Sequence, residues 1–234
     1  MSHLRACFAP VWLSIQTTLF PWVEDELGPL TEKQQQLVHT LEIIRVEDHL
    51  PRRITVPGRP AKDRAAIARA FVAKAVYDMP TTRMLLDRLA TDVALRRICG
   101  WERKRAVPSE SVFSRAFAAC ATTQLPLRVH EALIQKTHHD RVVGHIPLID
   151  INTRRNTWLK DERNAEARRR TLLGFQLPED VRYNERTAAE RVYGRLKDEF
   201  GGRHVRVRGP AKVMCHCMFG VLALTADQLM RLVT

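Results

Sequence analysis

Along most of the first 140 positions, apolar residues recur at three- and four-residue intervals. Between Pro29 and Leu50 the residues Leu37, Leu41 and Ile44 fall on one face, the repeat of an amphipathic helix. Thr31 and Gln34 at its start have the spacing of a capping box. The segment PRRITVPGRP at 51–60 holds three prolines, one glycine and three arginines, so it ends that helix as a stiff basic connector. A second helix is predicted over Ala61 to Asp78, with Ile67, Phe71 and Ala75 inward; it stops at Met79-Pro80 because the residue before a proline is pushed out of the helical region. Thr81 or Thr82 caps the next helix, whose repeat of Met84, Leu85, Leu89, Val93 and Ile98 runs to Gly100 with a break near Thr91. Pro108-Ser109-Glu110-Ser111 opens another, with Val112, Phe113 and Phe117 apolar and Arg115 exposed, and Leu125 to His138 closes the helical region.

Beyond that point the pattern changes. VVGHIPLIDI, Val142 to Ile151, is apolar, rich in β-branched residues and followed by the turn former Asn152, which predicts a buried strand. Lys160 to Arg170 is charged enough for an exposed helix. Tyr183 to Lys197 is a longer amphipathic helix: at about 100° per residue, Arg186, Glu190 and Lys197 lie near 300°, 340° and 320° from Tyr183, in one polar stripe. Ala188, Ala189, Val192, Leu196 and Phe200 fill an arc from roughly 140° to 260°, the width of a core-facing stripe. Three segments follow: an irregular stretch at 1–29, a helical domain at 30–140 and a separate C-terminal part at 141–234.

Charge decides the class of partner. The 234 residues carry 38 Lys+Arg against 26 Asp+Glu, a net charge of +12, with a pI near 10.1, so the surface attracts a polyanion and nucleic acid is the expected partner. Arginines gather at 52–59, 103–105, 154–155, 168–170 and 203–208; Arg154, Arg155, Arg203, Arg206 and Arg208 are suited to phosphates. The apolar run Cys215 to Leu224 is short and interrupted by His216 and Gly220, so no membrane span is expected. No signal-peptide cleavage site follows the apolar N-terminus, and a cytoplasmic, nucleoid-associated location is expected. Five scattered cysteines fit reduced thiols rather than a disulfide framework. Cys215-His216-Cys217 occupies successive positions of an apolar helix, pointing in different directions, and His138-His139 reads as a polar helix end; neither has the partners of a zinc site.

The spacing Tyr183, two residues, Arg186, three residues, Glu190, six residues, Lys197 resembles the signature of a large group of DDE transposases of bacterial insertion sequences. DEFGGRHVRVRGPAKVMCHCMFGVLALTADQLMRLV, from Asp198, resembles the C-terminal end of that group, and the stretch from Gly58 to Phe117 resembles its N-terminal helical domain. The resemblance implies that the helical domain recognises the terminal inverted repeats in double-stranded DNA, and that 141–234 derives from a ribonuclease H-like α/β domain. The expected fold is therefore mostly α, with a C-terminal remnant of that domain. The resemblance further implies that Glu190 is the third carboxylate of a Mg²⁺ site, that Arg186 and Lys197 contact phosphates, and that Tyr183 lies close by.

This chain departs from the group near Gly144-His145-Ile146. The helical region runs to His139-Asp140, and GHIPLIDINTRRN, from Gly144, already resembles sequence lying beyond the second catalytic aspartate. The early strands that should carry both aspartates have no counterpart, as an internal deletion joined near Gly144-His145-Ile146 would leave it. Asp140 and Asp150 are the nearby acids, and neither takes over a catalytic role: Asp140 ends a helical segment, and Asp150 reads as a strand-end residue bonded to its turn. The expectation is a transposase by descent, inactive in strand transfer and without productively bound Mg²⁺, acting alone or in a homo-oligomer. The alternatives are a non-enzymatic DNA-binding inhibitor of a full-length transposase, alone or in mixed oligomers, or an unfolded relic.

Overall fold

Thr31 starts the first described helix of the computed structural model, which describes residues 28–50, 63–138, 165, 168 and 178–233. Its hydroxyl accepts from the Gln34 amide while the Gln34 side chain accepts from the Thr31 amide, the predicted capping box. This helix, α1, spans Glu32–Ile44, shorter than expected. Arg45 turns left-handed at φ 45° and a 3-10 turn, Val46–His49, follows.

Asp63 caps α2, Arg64–Val76, by accepting from the amides of Ala65 and Ala66. Nine of its 13 residues are buried, so α2 is the inner helix that the others cover. Thr81 caps α3, Thr82–Thr91. The predicted break falls at Asp92, which ends α3 and caps α4, Val93–Cys99, by accepting from the Leu95 amide at 2.9 Å. Arg96 is almost fully buried, yet its guanidinium donates to the Leu89 carbonyl at 2.9 Å and the Ala90 carbonyl at 3.4 Å, filling the acceptors that the end of α3 leaves open. Two members of the expected apolar repeat, Met84 and Val93, are each 49 % exposed: their register follows the helix, but no described neighbour covers that side.

After a short 3-10 turn, Lys104–Ala106, come α5, Glu110–Thr122, and α6, Leu125–His138. Phe113 and Phe117 of α5 meet Phe71 of α2 edge-on, with centroids 5.7 and 5.2 Å apart, a favoured aromatic geometry. The last two helices are α7, Pro178–Glu199, and α8, Pro210–Val233. Eight α-helices and no strand occur among the described residues; the strand expected at Val142 to Ile151 lies outside them, as does the helix expected over Lys160 to Arg170, apart from the helical positions Ala165 and Arg168.

Residues 1–140 and 195–234 form one compact unit and 141–194 another. The first reaches across the boundary expected at 140/141 because α8 is its central apolar element, packing on α6, α2, α1 and α5. Phe219, Leu222, Leu224, Leu229 and Met230 of α8 are all buried. By length and composition Pro210–Arg231 is apolar enough to cross a membrane, which the sequence reading did not anticipate; here that apolarity is spent on the bundle. Gly220 permits the closest approach. A Cβ there would stand 2.6 Å from the Phe200 carbonyl oxygen and 2.8 Å from Leu196.

Candidate nucleic-acid interface

Helix α7 is built as its wheel predicts only towards its C-terminal end. Ala189 is exposed, contrary to its place on the apolar arc, Val192 and Leu196 are half-buried, and Phe200 is buried. The polar stripe does bring Arg186 and Glu190 together. The Arg186 guanidinium donates from Nε to Glu190 Oε1 at 3.2 Å, with 49 % and 66 % of the two side chains exposed. Lys197 is exposed on the same helix. Tyr183 lies within the helix, while its side chain falls outside the described residues, as do Arg154 and Arg155.

The described residues supply one carboxylate, that of Glu190, beside the Arg186 guanidinium. Among the described residues no group of three His, Cys, Asp or Glu side chains could hold an ion, and the partner of Glu190 is a guanidinium rather than a second carboxylate. Mg²⁺ is usually held by one or two carboxylates together with substrate phosphates, and Glu190 alone does not fit the two-ion centre of in-line phosphodiester displacement. Cys215, His216 and Cys217 diverge along α8 as expected, with Cys215 buried.

A network that the sequence reading did not find secures the end of α7. Asp227 of α8 is 6 % exposed. Its Oδ2 accepts from Arg195 Nη2 at 2.6 Å and Arg231 Nε at 2.9 Å, and its Oδ1 accepts from Gln36 Nε2 of α1 at 3.0 Å. Arg195 also donates to Glu199 at 2.7 Å and lies 5.6 Å over the Phe200 ring. The Arg195 hydrogen bond holds the Glu199 carboxyl below its ordinary range, against the opposing effect of burial.

Phe200, Gly201 and Gly202 then turn the chain. Gly201 takes φ 79° and the Gly202 amide donates to the Leu196 carbonyl at 2.9 Å. His216 reaches this turn from α8. Its Nε2 lies 3.0 Å from the Gly201 carbonyl, so that nitrogen carries the proton, and its Nδ1 faces Lys74 Nζ at 3.5 Å. Burial, the largest cause, and the Lys74 charge lower the His216 pKa, while the Gly201 bond raises it. Burial brings Lys74 down to about 8. Both groups line a cavity of about 10 Å³ with Phe71, Met79, Phe117 and Phe219, the size of one water.

Past the turn, Arg203 pairs with Asp198. His204, Arg206 and Arg208 are exposed, and Arg206 and Arg208 have no ion pair among the described residues. The basic turn Arg103-Lys104-Arg105 is also exposed, ahead of α5, where Arg115 is exposed as expected.

Residues 25–119 match the model of a family described as Transposase domain (DUF772). The match spans fewer than half of the 234 residues and supports an insertion-sequence transposase. No curated protein and no solved structure matches the chain.

Proposed function

We propose that this chain is a DNA-binding transposase derivative of the DDE group with the Tyr183, Arg186, Glu190, Lys197 signature, which holds the ends of its element without cleaving or joining them. The transposase-domain match over 25–119 is the observation that carries this reading. It falls on the helices assigned here to recognition of the terminal inverted repeats. The excess of 38 Lys+Arg over 26 Asp+Glu supports a polyanionic partner. Arg186, Lys197, Arg206 and Arg208 are proposed as phosphate contacts, with Tyr183, Arg154, Arg155 and Arg203 beside them.

Inactivity in strand transfer rests on the sequence between His139 and Asn152, which passes from the helical region to GHIPLIDIN with no counterpart of the two aspartate-bearing strands. Without them, Glu190 has Arg186 for a neighbour and, among the described residues, no partner carboxylate to fix a pair of ions. A chain that binds ends and cannot cut them also acts as an inhibitor of a full-length transposase, alone or in mixed oligomers. The test is a gel-shift competition between a duplex carrying the inverted repeat that flanks the gene and a random duplex, in the presence of Mg²⁺. Preferential, salt-sensitive retention of intact duplex is expected; absence of duplex binding would contradict the reading.

A further inference from the structure

Between α7 and α8 the chain reads Arg203-His204-Val205-Arg206-Val207-Arg208, and residues 204–208 run without helix, turn or bend. In a β-extended run, side chains two apart share a side and stand roughly 6.6–7 Å from one another. That is the scale of the step between neighbouring phosphates along one nucleic-acid strand. The alternation of residue types sets His204, Arg206 and Arg208 in one series and Val205 and Val207 in the other. Exposure separates the two series at one position: Val207 is half-buried, whereas His204, Arg206, Arg208 and also Val205, at 37 %, are exposed.

Both ends of the run are fixed. At the start, Gly201 is held by His216, Gly202 by Leu196, and Arg203 by Asp198. At the other end Gly209, at φ 91°, leads into α8, whose Val213 amide donates to the Gly209 carbonyl at 3.0 Å. Lys212 adds an exposed cation one turn into α8, and no acidic residue occurs between Glu199 and Asp227. Among the described residues neither Arg206 nor Arg208 has a carboxylate partner, and the segment is anchored at both ends before any ligand arrives, which lowers the ordering cost of binding.

We infer that 204–208 is a phosphate ladder, in which Arg206 and Arg208 engage successive phosphates on one strand of duplex DNA, with the His204 ring in line beside them. The inference rests on the DNA-binding reading above and adds a geometry to it: contact depends on the alternate spacing of the arginines and not on their number. The contact is sequence-independent, because phosphates position a protein on DNA without reporting base identity.

The experiment measures binding of the full chain to a random-sequence duplex by fluorescence anisotropy across a salt series. Each lost phosphate contact lowers the log–log salt slope by about 0.9. Arg206→Gln/Arg208→Gln is expected to lower it by about 1.8 and the register swap Val205→Arg/Arg206→Val, which keeps the net charge, by about 0.9. Arg208→Gln alone, with an expected loss of about 0.9, serves if a double variant fails to fold. A wild-type slope in the glutamine variants, or wild-type binding by the swap, would overturn the ladder while leaving DNA binding intact. No duplex binding by the wild-type chain would instead remove the reading on which it rests.

Discussion

Arg195 and Asp227, 32 positions apart, meet at 2.6 Å and fasten the end of α7 to α8. Asp227 has 9 % of its side chain exposed and takes three donors, whereas Arg231, one of them, is 65 % exposed. Removing one partner of a buried pair strands the other, which typically costs about 3–5 kcal/mol, while an exposed pair contributes about 0–1 kcal/mol. Asp227→Ala should therefore lower the unfolding free energy by about 3 kcal/mol and Arg231→Ala by less than about 1 kcal/mol. Urea titrations of the two variants check the ranking, which equal losses would contradict.

Truncation before Arg195 should abolish cooperative unfolding of the N-terminal helices. The five large apolar side chains that α8 buries, Phe219, Leu222, Leu224, Leu229 and Met230, contribute about 2 kcal/mol each, on the order of a whole domain's net stability. Circular dichroism melts of 1–194 against the full chain provide the comparison. A sharp transition in the fragment would show that the helical region folds without α8.

Gly220→Ala should destabilise the same unit by about 1–3 kcal/mol, the usual cost of overpacking. The obstacle is a backbone carbonyl, that of Phe200 at 2.6 Å from the added Cβ, and a backbone atom cannot rotate away as a side chain would. Gly194→Ala, with nothing within 4 Å, is the control and should be neutral or slightly stabilising through better helix propensity. Denaturation midpoints of the two variants decide it.

Lys74→Met should stabilise the protein at neutral pH by about 1–2 kcal/mol, since a cation is no longer taken out of water. The pH dependence carries the cause. Lys74 falls from 10.5 to about 8 on folding, so between those values the unfolded chain holds more protons and stability rises with pH. Buried thiols act in the opposite sense above 9: Cys99 and Cys215 are pushed up to about 12 and Cys120 to about 11. The variant keeps the thiols and loses the amine, so its advantage over wild type should shrink steadily between pH 8 and 10.5. An advantage constant across that window would dissociate it from Lys74 ionisation.

Local chemistry was the readable part of this sequence. The capping box at Thr31 and Gln34 and the helix break beside Thr91 depend on residues a few positions apart, so both were visible in the order of residues. Met84, Val93 and Ala189 show the limit of periodicity, which gives the face of a helix and not whether anything covers it. The Asp227 network was illegible for the same reason, because its donors Arg195 and Gln36 are 32 and 191 positions away. Of the signature residues, the Arg186 and Glu190 contact was legible because four positions make one helical turn.

The central claim, an end-binding chain that performs no strand cleavage, is tested most directly by incubating the full chain with the duplex that carries the flanking inverted repeat, in Mg²⁺ or Mn²⁺, and resolving the strands on a denaturing gel. Wild type, Glu190→Ala and Asp150→Ala should all retain the duplex at low salt and leave both strands intact. Retention should fall about a thousandfold between 50 and 200 mM salt if roughly six phosphates are neutralised. Metal-dependent nicking by the wild type that disappears in both variants would contradict the claim and make Glu190 and Asp150 ligands of a working catalytic centre.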